Sequence, residues 1–437
     1  MPHLPKGSKK LLNAWAFYDW ANSVYSLVIA SAIFPIFYGA LTLVKDENGT
    51  ILDDTVHFLG FNFNNDTLIS YVTATAFLVV SILSPLLSGV ADYVGNKKIF
   101  MKFFCYLGAV SCIGLFWFNM DYLWFGLLCY FLALIGFWSS LVFYNSYLPD
   151  IAFKEQQDSI SAKGYSLGYI GSVILLLVCL AMILMYETFG FEDEGLPTRL
   201  SFVLTGIWWI VFSQYTYYYL PKGNKKEKFT HHLLFNGYKE LKKIWEALKH
   251  NKPQKRFLVA FFVYSMAVQT IMLVATYFGI EELDWGTTDA TTGLIVSILL
   301  IQLVAVLGAY LTSRSSEKFG NIQTLIVLNV IWICICVYAY TITTPNQFYA
   351  TAAVVGLVMG GIQSLSRSTY SKLIPENTLD TASYFSFYDV SEKIGIVIGM
   401  FTYGYVAQLT GSIRYAILFF IVFFIVGVFL LLRVPRK

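Results

Sequence analysis

One carboxylate stands where hydrocarbon is expected. The run Tyr18-Asp19-Trp20-Ala21-Asn22-Ser23 lies inside an apolar stretch from Ala14 to Leu43. An Asp at the centre of a membrane helix costs about 2.5–3.5 kcal/mol, so it is tolerated mainly against a wet cavity or a partner. Asp19, with Tyr18 and Asn22 beside it, is therefore a candidate for handling substrate or protons. The competing reading places Asp19 one turn inside the membrane, reaching back to the polar face with Asn13 and Asn22 as partners. A second group is Asp389, Glu392 and Lys393, spaced so that all three share a helix face. Three ionisable groups at that depth must pair or meet water. They form either a charge relay or a site for the carboxylate and ammonium of a zwitterion, with Asp19 nearby, or a neutralised set that fixes helix packing. Arg367 could fork onto a substrate carboxylate or act as a helix-end latch facing Asp150 or Glu376. Asn145, Gln363, Gln269 and Gln302 could line a cavity or bond between helices.

The elements that must position these groups follow from composition. With 57% hydrophobic, 18% aromatic and 13% charged residues, the chain falls far below the roughly 25% charge of a soluble domain. Windows of about 20 apolar residues place spans 1 to 6 near 14–43, 68–91, 98–118, 122–147, 160–186 and 199–220. Spans 7 to 12 follow near 255–281, 290–313, 321–343, 346–371, 381–408 and 413–433. The first stretch is too long for a signal-peptide core and is expected to be retained. The six cysteines all fall inside spans, without disulfide or zinc spacing.

Lys and Arg concentrate at the termini, the even-to-odd loops and the polar linker. Acids such as Asp46, Glu47, Asp53, Asp54 and Glu282 populate the other side. The positive-inside rule then makes both termini cytoplasmic. The predicted organisation is an N-terminal half over 1–220, a cytoplasmic linker over 221–254 and a C-terminal half over 255–437. In the linker, Leu234, Tyr238, Leu241, Trp245 and Leu248 form one helical stripe, read as an interfacial helix on the cytoplasmic leaflet and ended by Pro253. A calmodulin-target-like segment and a flexible tether are the alternatives. Gly164, Gly168 and Gly171 in span 5, and Gly356, Gly360 and Gly361 in span 10, predict close-packing faces.

Two internal echoes support equivalent halves. Tyr144-Asn145-Ser146-Tyr147-Leu148-Pro149-Asp150 is matched by Tyr370 to Glu376, and Asp92-Tyr93-Val94-Gly95 by Glu317-Lys318-Phe319-Gly320. Parallel six-span halves around a midplane site are the plan of major facilitator transporters. The run Ser88-Gly89-Val90-Ala91-Asp92-Tyr93-Val94-Gly95-Asn96-Lys97-Lys98 resembles their loop signature, with Ser88 where the first glycine usually stands. In this loop Asp92 can cap or accept at a helix end, Gly95 makes the turn, and Lys97 and Lys98 meet anionic headgroups. Asp92, Gly95, Lys97 and Lys98, with Glu317, Lys318 and Arg367, are the conformational-latch candidates. More specifically, the Tyr18–Ser23 run, Tyr144–Pro149, Gly164–Tyr169 and Gly360–Ser368 together resemble the autophagy-related vacuolar amino-acid effluxer family and its bacterial relatives. The resemblance covers nearly the whole chain. It implies a twelve-span facilitator that moves amino acids or similar small solutes. Span 7 departs from the family pattern, with Ser265 and Met266 where a polar or acidic pair is expected.

The expectation is an all-α integral membrane protein of two pseudo-symmetric six-helix halves. It would be a secondary transporter with candidate substrate or proton-coupling residues Asp19, Asn22, Tyr18, Asn145, Gln363, Asp389, Glu392 and Lys393. A lipid translocase on the same fold, or a carrier of a non-amino-acid metabolite, is the alternative. No catalytic residues, cofactor or metal are expected, because His3, His57, His231, His232 and His250 all lie outside the spans. The expected partners are a small-molecule substrate, protons and membrane lipids. Nucleic acid is not expected, a monomer is, and the setting is a bacterial inner membrane.

Overall fold

The computed structural model describes residues 4–45, 51–223, 233–286, 289–376 and 378–435. His3, Asp46, Glu47 and the His231–His232 pair lie outside the described residues. Among those described, eleven helices are long and apolar enough to cross a membrane. Spans 1 to 6 are Lys9–Thr42, Asn65–Val94, Lys97–Trp117, Leu123–Ile151, Lys154–Leu184 and Gly195–Tyr219. Spans 7 to 10 are Lys252–Ile280, Ala290–Phe319, Asn321–Ala339 and Pro345–Leu373, and span 12 is Ile413–Leu432. Span 11, Thr381–Thr410, is as long at 30 residues. It carries Asp389, Glu392 and Lys393 within one turn, and these three charges interrupt its apolar run.

Two large hydrophobic cores form, each drawn mainly from one half, and a small third cluster of Tyr169, Ala305 and Met359 bridges the halves. The first is built from spans 1 to 6 around Trp15, Tyr25, Phe34 and Trp209. The second is built from spans 7 to 12 around Phe261, Trp332, Tyr370 and Phe424. The halves meet where span 2 packs on span 11 and where span 5 packs on spans 8 and 10. The glycine faces explain how closely helices approach. A Cβ on Gly168 would strike the Ser23 side chain, and one on Gly171 would lie 3.0 Å from Trp20, so span 5 lies directly on span 1. Gly356 and Gly360 sit against the backbone of Ile301 and Ala305 in span 8.

Span 1 is not a uniform helix. Lys9–Val24 is α-helical, Tyr25–Ile33 is π-helical and Phe34–Thr42 is α-helical again. Pro35 supplies no N–H to the preceding turn, and within the π segment Ser31 Oγ donates to Ser26 O at 2.9 Å. π segments of this kind concentrate at functional sites, and this one begins three residues after Asn22.

The linker forms a helix, Leu233–His250, and one side of it packs on the spans. Gly237, Ile244 and Leu248 are buried, and Gly237 meets the backbone of Gly89 and Val90 in span 2. Tyr238 and Trp245 of the expected stripe are exposed, although Trp245 reaches Phe387 of span 11 at 5.5 Å between ring centroids. The buried stripe is thus rotated from the expected one, because Gly237 allows a backbone approach that no hydropathy pattern records. Pro253 lies in the first turn of span 7, where its missing N–H costs no helical bond.

Candidate functional site

Asp19 lies ten residues inside span 1, about 15 Å from its start at 1.5 Å per residue, and is buried. Its Oδ2 accepts from Tyr144 Oη at 2.8 Å and from both terminal nitrogens of Arg367 at 3.2 Å. Arg367 is equally buried. Its Nε donates to Ser161 Oγ at 2.9 Å, its Nη2 to Ser161 O at 2.9 Å and its Nη1 to Asn145 Oδ1 at 3.3 Å. A guanidinium has five N–H donors, and these five bonds engage them all. The guanidinium also lies 4.2 Å from the Tyr165 ring centroid and 4.9 Å from that of Trp15. Such stacking suits its weak hydration. Gly164 makes the room: a Cβ there would collide with Asp19 Oδ2 and sit 3.0 Å from Arg367 Nη2.

The local partners weighed for Asp19 are engaged elsewhere. Asn13 accepts from Lys163 Nζ at 2.7 Å. Asn22 receives Ser23 Oγ at 3.4 Å, and its amide nitrogen has no partner among the described residues. Tyr18 packs against Tyr144 and Tyr217 inside the first core. Arg367 faces neither Asp150 nor Glu376, because lysines hold both. Lys97 reaches Asp150 at 2.5 Å and Lys154 reaches Glu376 at 2.5 Å.

A second cluster sits on span 11. Buried Lys393 donates to Asp389 Oδ1 at 2.8 Å and to Glu392 Oε2 at 2.7 Å. Its ammonium lies 3.6 Å from the Trp138 ring centroid in span 4. Gln269 Nε2 of span 7 donates to Glu392 Oε1 at 2.8 Å. Glu392 borders a small recess walled by Tyr165, Phe261, Tyr264, Tyr388, Gln363 and Ser265. Tyr264 bonds Ser366 at 2.7 Å, and Tyr169 Oη donates to Gln363 Oε1 at 2.9 Å. Tyr165 is shared, carrying Arg367 on its ring and lining the recess that Glu392 borders. The two charge clusters, far apart in the chain, thus flank one aromatic wall.

Toward the linker side the halves are tied again. Asp92 accepts from the backbone N–H of Ser383 at 2.7 Å and of Ala382 at 3.3 Å. It therefore caps span 11 rather than its own helix, an arrangement that the helix dipole favours. Gly95, at φ +70°, ends span 2 and bonds back to Ala91 O and Asp92 O. Lys97 and Lys98, expected to meet headgroups, are both engaged by protein groups here. Lys97 bonds Asp150 within its own half and the Thr381 hydroxyl across the halves, and buried Lys98 donates to Leu220 O at 2.6 Å. The matching pair in the second half differs: Glu317 meets Arg314 of its own helix at 3.4 Å, and Lys318 lies over Phe319. The tie there comes instead from Asp158, which takes Lys372 at 2.5 Å, Asn321 at 2.9 Å and Ser316 at 3.2 Å. Ser161 Oγ adds a bond to Ser364 O at 2.7 Å. These cross-half bonds all lie between the span midpoints and the linker-side ends, so the described state is closed on that side.

Ser161, Trp138 and Phe261 carried no signal in the sequence, and Tyr165 stood out only as part of the Gly164–Tyr169 motif, not as a site residue. Serine and aromatic residues are ordinary in membrane helices; the packing of span 5 on spans 1 and 10 gives Ser161 and Tyr165 a role, and the approach of spans 4 and 7 to span 11 gives one to Trp138 and Phe261.

Residues 7–437 match the family described as vacuole effluxer Atg22 like. The chain is 32% identical to an uncharacterised MFS-type transporter, YxiO of Bacillus subtilis, over 97% of this chain and 95% of that one. It is 22% identical to autophagy-related protein 22-1 of Phaeosphaeria nodorum, over 93% of this chain and 87% of that one. Among solved structures it is similar to the major facilitator superfamily transporter FucP in the outward conformation, with a TM-score of 0.67 at 14% identity, covering 98% of this chain and 99% of that one.

Proposed function

The chain belongs to the Atg22-like effluxer family of major facilitator transporters, and on that premise we propose that it carries amino acids or closely related small metabolites by proton-linked alternating access. The observation that carries this reading is the buried Asp19–Arg367 pair, which joins span 1 of one half to span 10 of the other. Breaking a buried pair by removing one charge costs about 3–5 kcal/mol, so the pair holds the linker side shut while both groups are charged. Two events can release it. A proton on Asp19 removes the negative partner, or a substrate carboxylate takes over the guanidinium. All five donors are engaged in the closed state, so Arg367 becomes a carboxylate site only as Asp19 lets go.

The recess beside Glu392 has the complementary chemistry. A carboxylate edge suits an α-ammonium, and the Tyr264, Tyr388 and Phe261 rings suit an apolar or aromatic side chain. The basic loops support a cytoplasmic linker and termini in a bacterial inner membrane, in which case the described state opens outward.

Counterflow of labelled leucine, tyrosine and a mixed amino-acid pool in proteoliposomes, with and without a proton gradient, tests the reading. Uptake of a label that rises with the gradient, and that Asp19→Asn uncouples, supports it. Gradient-driven flux by Asp19→Asn at the wild-type rate removes Asp19 from coupling. No counterflow of any amino acid by folded protein overturns the substrate class.

A further inference from the structure

The halves touch along two seams that the six-span repeat makes equivalent. Span 2 corresponds to span 8 and span 5 to span 11, so the seam between spans 2 and 11 is the counterpart of that between spans 5 and 8. At its linker-side end the first seam is covered by this chain itself. The linker helix lays Gly237, Ile244 and Leu248 into it. It touches Phe387 through Trp245 and carries Lys243 to Asp380 at 3.5 Å. The occupant of that seam is an amphipathic object with apolar groups inside and charge at the rim.

The second seam holds a groove lined by Ala162, Lys163, Ser166, Leu303, Leu307 and Arg314, among others. Leu303, Leu307, Tyr310 and Arg314 recur at intervals of four, three and four on span 8 and form one exposed stripe. The apolar members run into the membrane, and Lys163 and Arg314 stand toward the linker-side end. Lys163 spends one donor on Asn13 Oδ1 at 2.7 Å. Arg314 spends one on Glu317 at 3.4 Å and rests on the Tyr310 ring. An ammonium has three donors and a guanidinium five, so among the described residues both side chains keep N–H groups for a ligand at the rim. The groove thus lies across the halves and is apolar along its length. Where a phosphodiester would lie, it presents two cations against a single carboxylate, Glu317.

We propose that the groove between spans 5 and 8 is a binding site for an anionic phospholipid of the linker-side leaflet, its phosphate on Lys163 and Arg314 and an acyl chain along Leu303 and Leu307. Basic pockets between membrane helices recognise anionic headgroups in this way. Because Lys163 and Arg314 belong to opposite halves, a lipid bound to both favours the state in which spans 5 and 8 lie together. The lipid does at this seam what the linker helix does at the other.

The test is native mass spectrometry of the full-length protein, offered phosphatidylglycerol and phosphatidylcholine of the same chains at equal concentration. Wild type should retain phosphatidylglycerol roughly thirtyfold better, the scale expected for two cations near a headgroup at about 1 kcal/mol each. Lys163→Gln with Arg314→Gln should bring the two lipids to parity. Lys252→Gln with Lys255→Gln, which removes the same charge elsewhere on that side, should leave the preference intact. A photoactivatable phosphatidylglycerol should crosslink within residues 303–314. Equal retention of both lipids by wild type, or an equal loss in both double variants, overturns the site. So does crosslinking spread evenly over the other spans.

Discussion

Asp19 and Arg367 stand 348 positions apart in the chain and meet at 3.2 Å through one carboxylate oxygen and both terminal guanidinium nitrogens. Span 1 and span 10 belong to different halves, so the bond crosses the seam between them on the closed linker side. Tyr144, Asn145 and Ser161 complete the coordination from spans 4 and 5. Opening that side strips Arg367 of acceptors on three spans together.

Asp19→Asn should therefore shift the resting state toward linker-side opening. Losing the charge while Arg367 stays buried removes about 3–5 kcal/mol from the closed state. Spin-label distances between the linker-side ends of spans 5 and 10 should lengthen. An unchanged distance distribution would mean that the pair does not gate.

Gly164→Leu should reproduce that phenotype without touching either charge. The added side chain enters the space of Asp19 Oδ2, Arg367 Nη2 and Tyr144 Oη. Combined with Asp19→Asn, its effect should be strongly non-additive, as expected for residues that share one contact. Simple additivity in the same distance measurement would show that Gly164 acts elsewhere.

Glu392→Gln keeps the shape of the recess and removes its charge. Lys393 would then keep Asp389 as its charged partner, and Gln269 would face a neutral amide. The expected result is a rise in KM of roughly tenfold or more for substrates with an ammonium, on the scale of a lost charged hydrogen bond. A kcat loss at unchanged KM would assign Glu392 to the transport step instead.

Gly237→Leu should dislodge the linker helix, since Gly237 packs against the backbone of span 2. Overpacking of this kind costs about 1–3 kcal/mol. Limited proteolysis should cut the linker faster, with the spans still helical by circular dichroism. Protection equal to wild type would place the helix elsewhere in the membrane-bound protein.

The Lys243–Asp380 contact adds a smaller term with a defined pH sense. Asp380, and then the hydrogen bond to Glu240, raises the Lys243 ammonium above its usual value. Its contribution is complete below the unfolded lysine value and fades as pH rises through the raised one. The contact should thus hold constant from pH 6 to 9 and weaken only in strong alkali, which linker protease protection can follow. With the lysine largely exposed, Asp380→Asn should cost under about 1 kcal/mol.

The sequence by itself determined the membrane class, the twelve apolar runs and their division by a basic linker, because hydrocarbon thickness and the cost of charge in it act on local composition. For the same reason Asp19 and the Asp389–Glu392–Lys393 set stood out: each interrupts a run that would otherwise be apolar. The glycine faces of spans 5 and 10 were legible too, from helical spacing alone. Partnership was not. Asp150 and Glu376 looked like partners for Arg367 because they lie near the same ends of equivalent helices, yet Lys97 and Lys154 claim them. Asp19 is reached only because Gly164 lets span 1, span 5 and span 10 converge. The linker helix was readable as amphipathic, but its buried side was decided by the Gly237–Gly89 approach, and Glu317 did not repeat the role of Asp92. Helical periodicity says which residues share a face; the rotation of that face and the neighbour it meets are set by packing across the halves, and that decision belongs to the tertiary structure.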